Sequence, residues 1–375
     1  MCGIAGFIGE SRDTGLSFRV LTALFEKAES RGLDASGFWM SECGSEGKVT
    51  HHKQPGRSSE YVRSKYWLST ASLKTNLAIV HARGASRGSG SPTVNKNNHP
   101  FVSETGNIAL VHNGRIEPSE YEALVQKYKV KSECDSEILL RIFESSSVYS
   151  DEFLDSYVGD CEHRRRIAGI KDIFSLINEG HMAVAIAEWL KDGERNLWLF
   201  RNEHRPLWVA DARAELGQTF FFSEPSMWRH AVSACGSELK RCKITEVPEY
   251  ELWHLSCGND SETSDVLERY MVSKSNPKVW QSDGAQVDFV VDEVDLNFNS
   301  LVSDQEHDVA EDATDKMLTE IERKVEKIQT TCRNIYALSQ IMTRSKSLSA
   351  GELEQLVSLL DEQQKSIAEI ESIFD

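Results

Sequence analysis

No run of about 18 apolar residues occurs in this chain, so no segment reads as a membrane-spanning helix. Clustered positive charge is equally scarce. The formal net charge is -17 and the pI is near 5.2, and a nucleic-acid surface needs grouped Lys and Arg to meet phosphates. The single basic cluster, Arg164-Arg165-Arg166, is short, lies among acidic residues and reads as a solvated helix face. The eight cysteines contain no Cys-x-x-Cys pair. That pattern speaks against a zinc site or any other metal and for a reduced chain of the cytoplasm. The N-terminus lacks a basic stretch followed by an apolar one, so no secretion signal is expected, and none would carry Cys2 away.

Against these absences stands Cys2, in Met1-Cys2-Gly3-Ile4-Ala5-Gly6. If Met1 is trimmed, one residue carries both a thiol and an α-amine. An α-amine titrates at about 8, near enough to neutrality to take the thiol proton directly or through a water. Cys2 alone is equally compatible with an ordinary near-terminal cysteine, and its neighbours decide.

The apolar stretch 3–9 predicts a buried strand, and Leu16, Val20, Leu21, Leu24 and Phe25 predict a helix near 17–30. Short strands are expected at 77–80 and 108–111, and helices near 117–129, 135–146 and 166–178. A second set of strands is expected through 182–189, 197–201, 207–210, 220–222 and 250–255. Strands, then helices, then strands again point to an α+β chain with two sheets face to face and helices outside, not a doubly wound parallel sheet. The polar, acidic stretch 258–308 reads as a linker. From 309 to 375 apolar residues recur in two helical stripes, split near Gly351, with Ser349 to Glu352 fitting a capping box. This predicts a helical hairpin or coiled coil. Its stripes are buried either on each other or on a partner or second copy of the chain.

Four short clusters carry polar chemistry: Arg31-Gly32-Leu33-Asp34-Ala35-Ser36-Gly37, a turn between helix and strand; His81-Ala82-Arg83 with Gly84 and Ser86; His112-Asn113-Gly114; and Cys134-Asp135-Ser136-Glu137 at a helix start. Each has a plain explanation on its own. Asn-Gly is a common hairpin turn, Asp135 a good helix cap, and Arg83 a possible structural ion pair.

Taken in order with Met-Cys-Gly-Ile, and with Asn98-His99-Pro100 and Phe221-Phe222-Ser223-Glu224, these motifs resemble the class II glutamine amidotransferase domain. That domain belongs to the N-terminal-nucleophile hydrolases, and the pattern resembles in particular the glutaminase half of glucosamine-6-phosphate synthase. The resemblance covers about residues 1–257 and implies a four-layer αββα sandwich. It implies that Cys2 attacks the glutamine side-chain amide, with its own amine as base. It places Asn113 and Gly114 in the oxyanion hole, Arg83 on the glutamine α-carboxylate and Asp135 on the α-ammonium. Ser86 adds a hydroxyl where the family usually has Thr, and Arg31 and Asp34 shape the pocket wall. The implied chemistry needs no cofactor.

Two positions depart from the pattern. Gly84 stands where the family has an aromatic, and Arg87 where the synthase has histidine. These leave the ammonia path and the acceptor open. No Ser-Gly-Gly-x-Asp loop and no phosphoribosyltransferase signature is present, and 118 residues follow position 257, too few for a sugar-isomerase module. The expectation is a stand-alone glutaminase subunit that passes ammonia to a separate synthase, with the C-terminal helices as the docking or self-association element. The competing readings are an independent γ-glutamyl amidohydrolase and a non-catalytic glutamine sensor.

Overall fold

The computed structural model describes residues 1–43, 48–71, 74–86, 89–145, 161–177, 179–190 and 193–258, and the backbone of 265–272 and 280–282. All of these fall in one unit, Met1–Glu293. The expected helices of 309–375 lie outside the described residues.

Two seven-stranded antiparallel sheets form the centre. The first runs in the order β11-β9-β10-β1-β4-β2-β3. Its members are β1 (Gly3–Ile8), β2 (Ala35–Glu42), β3 (Val49–Pro55), β4 (Thr75–Arg83), β9 (Trp208–Ala212), β10 (Gln218–Phe222) and β11 (Lys243–Glu246). The second runs β14-β13-β12-β8-β7-β6-β5. It contains β5 (Phe101–Val102), β6 (Ile108–Arg115), β7 (His181–Trp189), β8 (Arg195–Arg201), β12 (Glu251–Cys257), β13 (Asp265–Val272) and β14 (Trp280–Ser282). Every pairing is antiparallel.

The alternating strand pattern explains the layers. One face of each strand meets the other sheet, where Ile4, Trp39, Ile79, Val111, Ala185, Leu199, Phe221 and Trp253 form a common core. The opposite face of the first sheet packs under helices α1 (Thr14–Ala28) and α5 (Pro225–Cys235) through Phe7, Leu24, Val80, Phe220 and Trp228. The opposite face of the second packs under α3 (Ser136–Ser145) and α4 (Cys161–Leu176) through Leu110, Leu139, Ile170, Val184 and Phe200. Helix α2 (Pro118–Val125) lies between β6 and α3 in the chain. The architecture is the expected α+β sandwich of four layers, helix–sheet–sheet–helix. Strands that are apolar on both faces read as continuous hydrophobic runs, which is why β4 and β6 were visible in the sequence.

Three features differ from expectation. First, Arg166 is not solvated. Its guanidinium is buried and bonds Glu188 of β7, from Nε at 2.8 Å and Nη2 at 2.6 Å. A helix that covers a sheet turns one side inward, and a charge on that side is kept only with a partner. Second, the stretch expected as a linker from 258 adds β13 and β14 to the second sheet. Third, β3, β5, β11 and α5 were not foreseen. Strand β3 is an edge strand with mostly half-exposed residues, so its pattern lacks an apolar face.

Candidate active site

The N-terminal strand is the centre of its sheet, and this places Cys2. Strand β1 lies between β10 and β4, so the residue before Gly3 emerges at the sheet end next to Ala82 and Arg83. Cys2 is buried. Its sulfur is 3.7 Å from the carbonyl oxygen of Gly84, to which the thiol donates. Burial pushes the thiol up from its ordinary value, outweighing the Gly84 contact and the nearby positive charges that pull it down. A thiol held neutral in this way cannot attack a carbonyl without a base.

Cys2 still bears Met1 here, so its nitrogen is an amide. That N–H donates to Oδ1 of Asn113 at 3.2 Å. Because the nitrogen is a donor, the acceptor must be the oxygen of the Asn113 side chain, and this fixes the orientation of the amide. Asn113 is fully buried, and its Nδ2 has no hydrogen-bond partner in the structure. An unpartnered buried donor is costly, of order 1–3 kcal/mol, and such a group marks a place built for something else to accept.

Asn113-Gly114 is no hairpin turn. Both residues lie inside β6 and pair with Ala183 and Met182 of β7. Gly114 is required by close approach. A Cβ there would overlap the His181 carbonyl oxygen and the His112 ring. His112 holds this wall by Nδ1 to the Ser136 hydroxyl at 2.8 Å.

The remaining expected residues divide into two groups. Arg31 and Asp34 support the site from the α1–β2 turn. Arg31 donates from Nε to the Cys2 carbonyl at 2.9 Å and pairs through Nη1 with Glu224. Asp34 accepts from the Ala85 N–H at 2.7 Å and so fixes the chain just after Arg83. Asp135 does not cap its helix through its side chain. Its Oδ2 accepts from the Ile116 N–H at 2.8 Å, joining the start of α3 to the end of β6. The approach to that helix is held instead by Glu137, whose Oε2 accepts from the N–H groups of Lys131 and Ser132.

Arg83 is buried, and part of its guanidinium is used by the protein. Nη1 bonds Asn98 Oδ1 at 2.7 Å, while Nη2 bonds the carbonyls of Ser89 and Gly90 and the Ser89 hydroxyl. Ser86 sits in the same loop, its backbone closed on the Ser89 hydroxyl. It also lines an open cavity of about 630 Å³ with Gly90, Ser91, Tyr121, Ser132 and Glu133.

Further residues, given no individual role by the sequence, complete the frame. Ser223 accepts from the Ile4 N–H at 2.9 Å, two residues along the strand from Cys2. Ser89 anchors Arg83, and Lys53 caps the carbonyl oxygens of Asn98 and Pro100. Burial pulls Lys53 down to about 8. Neither Ser89 nor Lys53 carried a sequence signal. His81 and His99 stack at 3.9 Å behind Arg83, both buried and neutral. Burial lowers His81 to about 3 and holds His99 well below its ordinary value. Among the described residues no group of three or more His, Cys, Asp or Glu side chains is placed to hold a metal ion, and no helix is long and apolar enough to cross a membrane.

No family model matches the chain. Curated relatives do match part of it. Glutamine–fructose-6-phosphate aminotransferase (isomerizing) of Caldanaerobacter subterraneus subsp. tengcongensis is 34% identical over 150 residues, which is 38% of this chain and 22% of that protein. The protein of the same name from Aquifex aeolicus is 35% identical over 159 residues, 42% of this chain and 24% of that one. The chain thus spans about a quarter of the length of these relatives. Among solved structures, the allosteric regulatory enzyme of purine biosynthesis aligns with 76% of this chain and 54% of its own, at 21% identity and a TM-score of 0.47. Over the matched residues the resemblance to a class II glutamine amidotransferase domain, drawn above from the motifs, holds at the level of sequence.

Proposed function

We propose that this chain hydrolyses the side-chain amide of glutamine to glutamate and ammonia through a thioester on Cys2. The observation that carries this reading is the Cys2–Asn113 pair. Asn113 uses its oxygen to hold the Cys2 nitrogen and keeps a buried Nδ2–H with no partner. Once Met1 is removed, the nitrogen becomes an amine beside its own raised thiol. The thiol proton moves to the amine, the sulfur attacks the amide carbon, and the oxygen takes up negative charge. Asn113 Nδ2 and the Gly114 backbone N–H supply the donors for that oxygen. The amine returns its proton to the departing nitrogen. Water then cleaves the thioester, releasing glutamate and restoring the thiol. Asp135, on the same wall as Asn113, takes the α-ammonium. Arg83 anchors its loop with part of the guanidinium and offers the rest to the α-carboxylate, with Ser86 beside it.

The ammonia goes to an acceptor on a separate synthase, engaged through residues 309–375, and the chain works as a soluble subunit. The test is stoichiometry in the purified chain. Glutamate and ammonia should appear from glutamine in equal amounts, faster when a partner is bound. Failure to release either from glutamine would count against the reading.

A further inference from the structure

Cys2 and Gly84 together say something about the leaving group. In the reaction above, the proton that frees the leaving nitrogen comes from the Cys2 amine. Whatever is bonded to the Cys2 nitrogen in the unprocessed chain therefore stands on the side from which that nitrogen departs. In this structure that neighbour is Met1. It is 71% exposed, so this side of the nucleophile faces solvent. Its wall is bare backbone. A Cβ built on Gly84 would overlap the Met1 carbonyl oxygen and stand 2.9 Å from the Arg31 carbonyl oxygen and 3.0 Å from the Met1 nitrogen. The other neighbour, Arg31, reaches Met1 with Nη2 at 3.8 Å from its sulfur while its Nη1 is held by Glu224.

Resting on the Cys2 reading above, we propose that the site also takes γ-glutamyl amides whose nitrogen carries an alkyl group. Gly84 is the residue that leaves room for that group. The glutamyl half binds as glutamine does. The Cys2 Sγ–carbon bond forms and the carbon–nitrogen bond breaks. The thiol proton, carried by the Cys2 amine, goes to the nitrogen, which leaves as a primary alkylamine instead of ammonia. Water completes the cycle on the same glutamyl thioester, so glutamate is the common product.

The test is kcat/KM on the full, processed chain for glutamine and for its γ-N-methyl, N-ethyl and N-isopropyl amides. A closed pocket penalises each added carbon by about 10–200-fold. The open side predicts a fall of less than about tenfold across the whole series. A fall of tenfold or more at each added carbon, with glutamine still hydrolysed, would overturn this inference and leave the Cys2 reading intact. No hydrolysis of glutamine or of any amide would overturn both. Gly84→Trp supplies a second readout: it should cost the alkylated amides at least tenfold more than it costs glutamine. If that variant fails to fold, the substrate series on the native chain still decides.

Discussion

Replacing Cys2 by alanine is expected to abolish glutamine hydrolysis, and Asn113→Ala to lower kcat by about 10²–10³. The two variants act on different atoms. Without the sulfur there is no thioester. Without Asn113 the sulfur remains, but the developing oxyanion loses one donor and the Cys2 nitrogen loses the acceptor 3.2 Å away that positions it. Because Asn113 lies inside β6, paired with Ala183, a smaller side chain there leaves the strand ladder in place. Circular dichroism should match the native chain while the rate falls. Native-like kcat in Asn113→Ala would remove it from the oxyanion hole.

The second large effect is on stability in acid. His81, His99 and His254 are buried, and burial lowers all three. His254 stacks on Trp198 at 3.7 Å and bonds Asn196 through Nε2. A base whose folded pKa lies below its unfolded value stays neutral in the fold while the unfolded chain takes up the proton. Stability is therefore full above the unfolded value of about 6.5 and is lost as pH falls through it. For His81 the loss continues down to about 3. Each such group costs about 1.4 kcal/mol per pH unit in that window. His81 alone accounts for about 2 kcal/mol between pH 6.5 and 5, a sizeable part of a typical domain's stability, and His99 and His254 act in the same direction. The urea midpoint should fall steeply from pH 7 to pH 5, before most carboxylates titrate. A flat midpoint over that range would show that these imidazoles are not held neutral in the fold.

Much of this architecture was legible before any coordinates. The two groups of strands with helices between them announced a two-sheet sandwich, because doubly buried strands read as unbroken apolar runs. Cys2 and the Asn113-Gly114 step were singled out through the order of the motifs, not through any local pattern. Locally, Asn-Gly looked like a hairpin turn. Only the pairing of β6 with β7 shows it to be strand, and the crowding by His181 and His112 shows why glycine is needed. The Asp135 side chain read as a cap but reaches sideways to Ile116, a tertiary contact that spacing cannot reveal. Arg83 was picked out as a binding residue, yet the Ser89, Gly90 and Asn98 groups that surround it come from a loop that folds back on it. Edge strand β3 hid because solvent lies along it, and Lys53 with it.

The most direct test of the account is the intact mass of the purified chain before and after 6-diazo-5-oxo-L-norleucine, with the adduct mapped by peptide. The account predicts loss of Met1 and a single adduct on Cys2. A chain that has lost Met1 yet stays unlabelled, or carries its adduct on another cysteine, would contradict it.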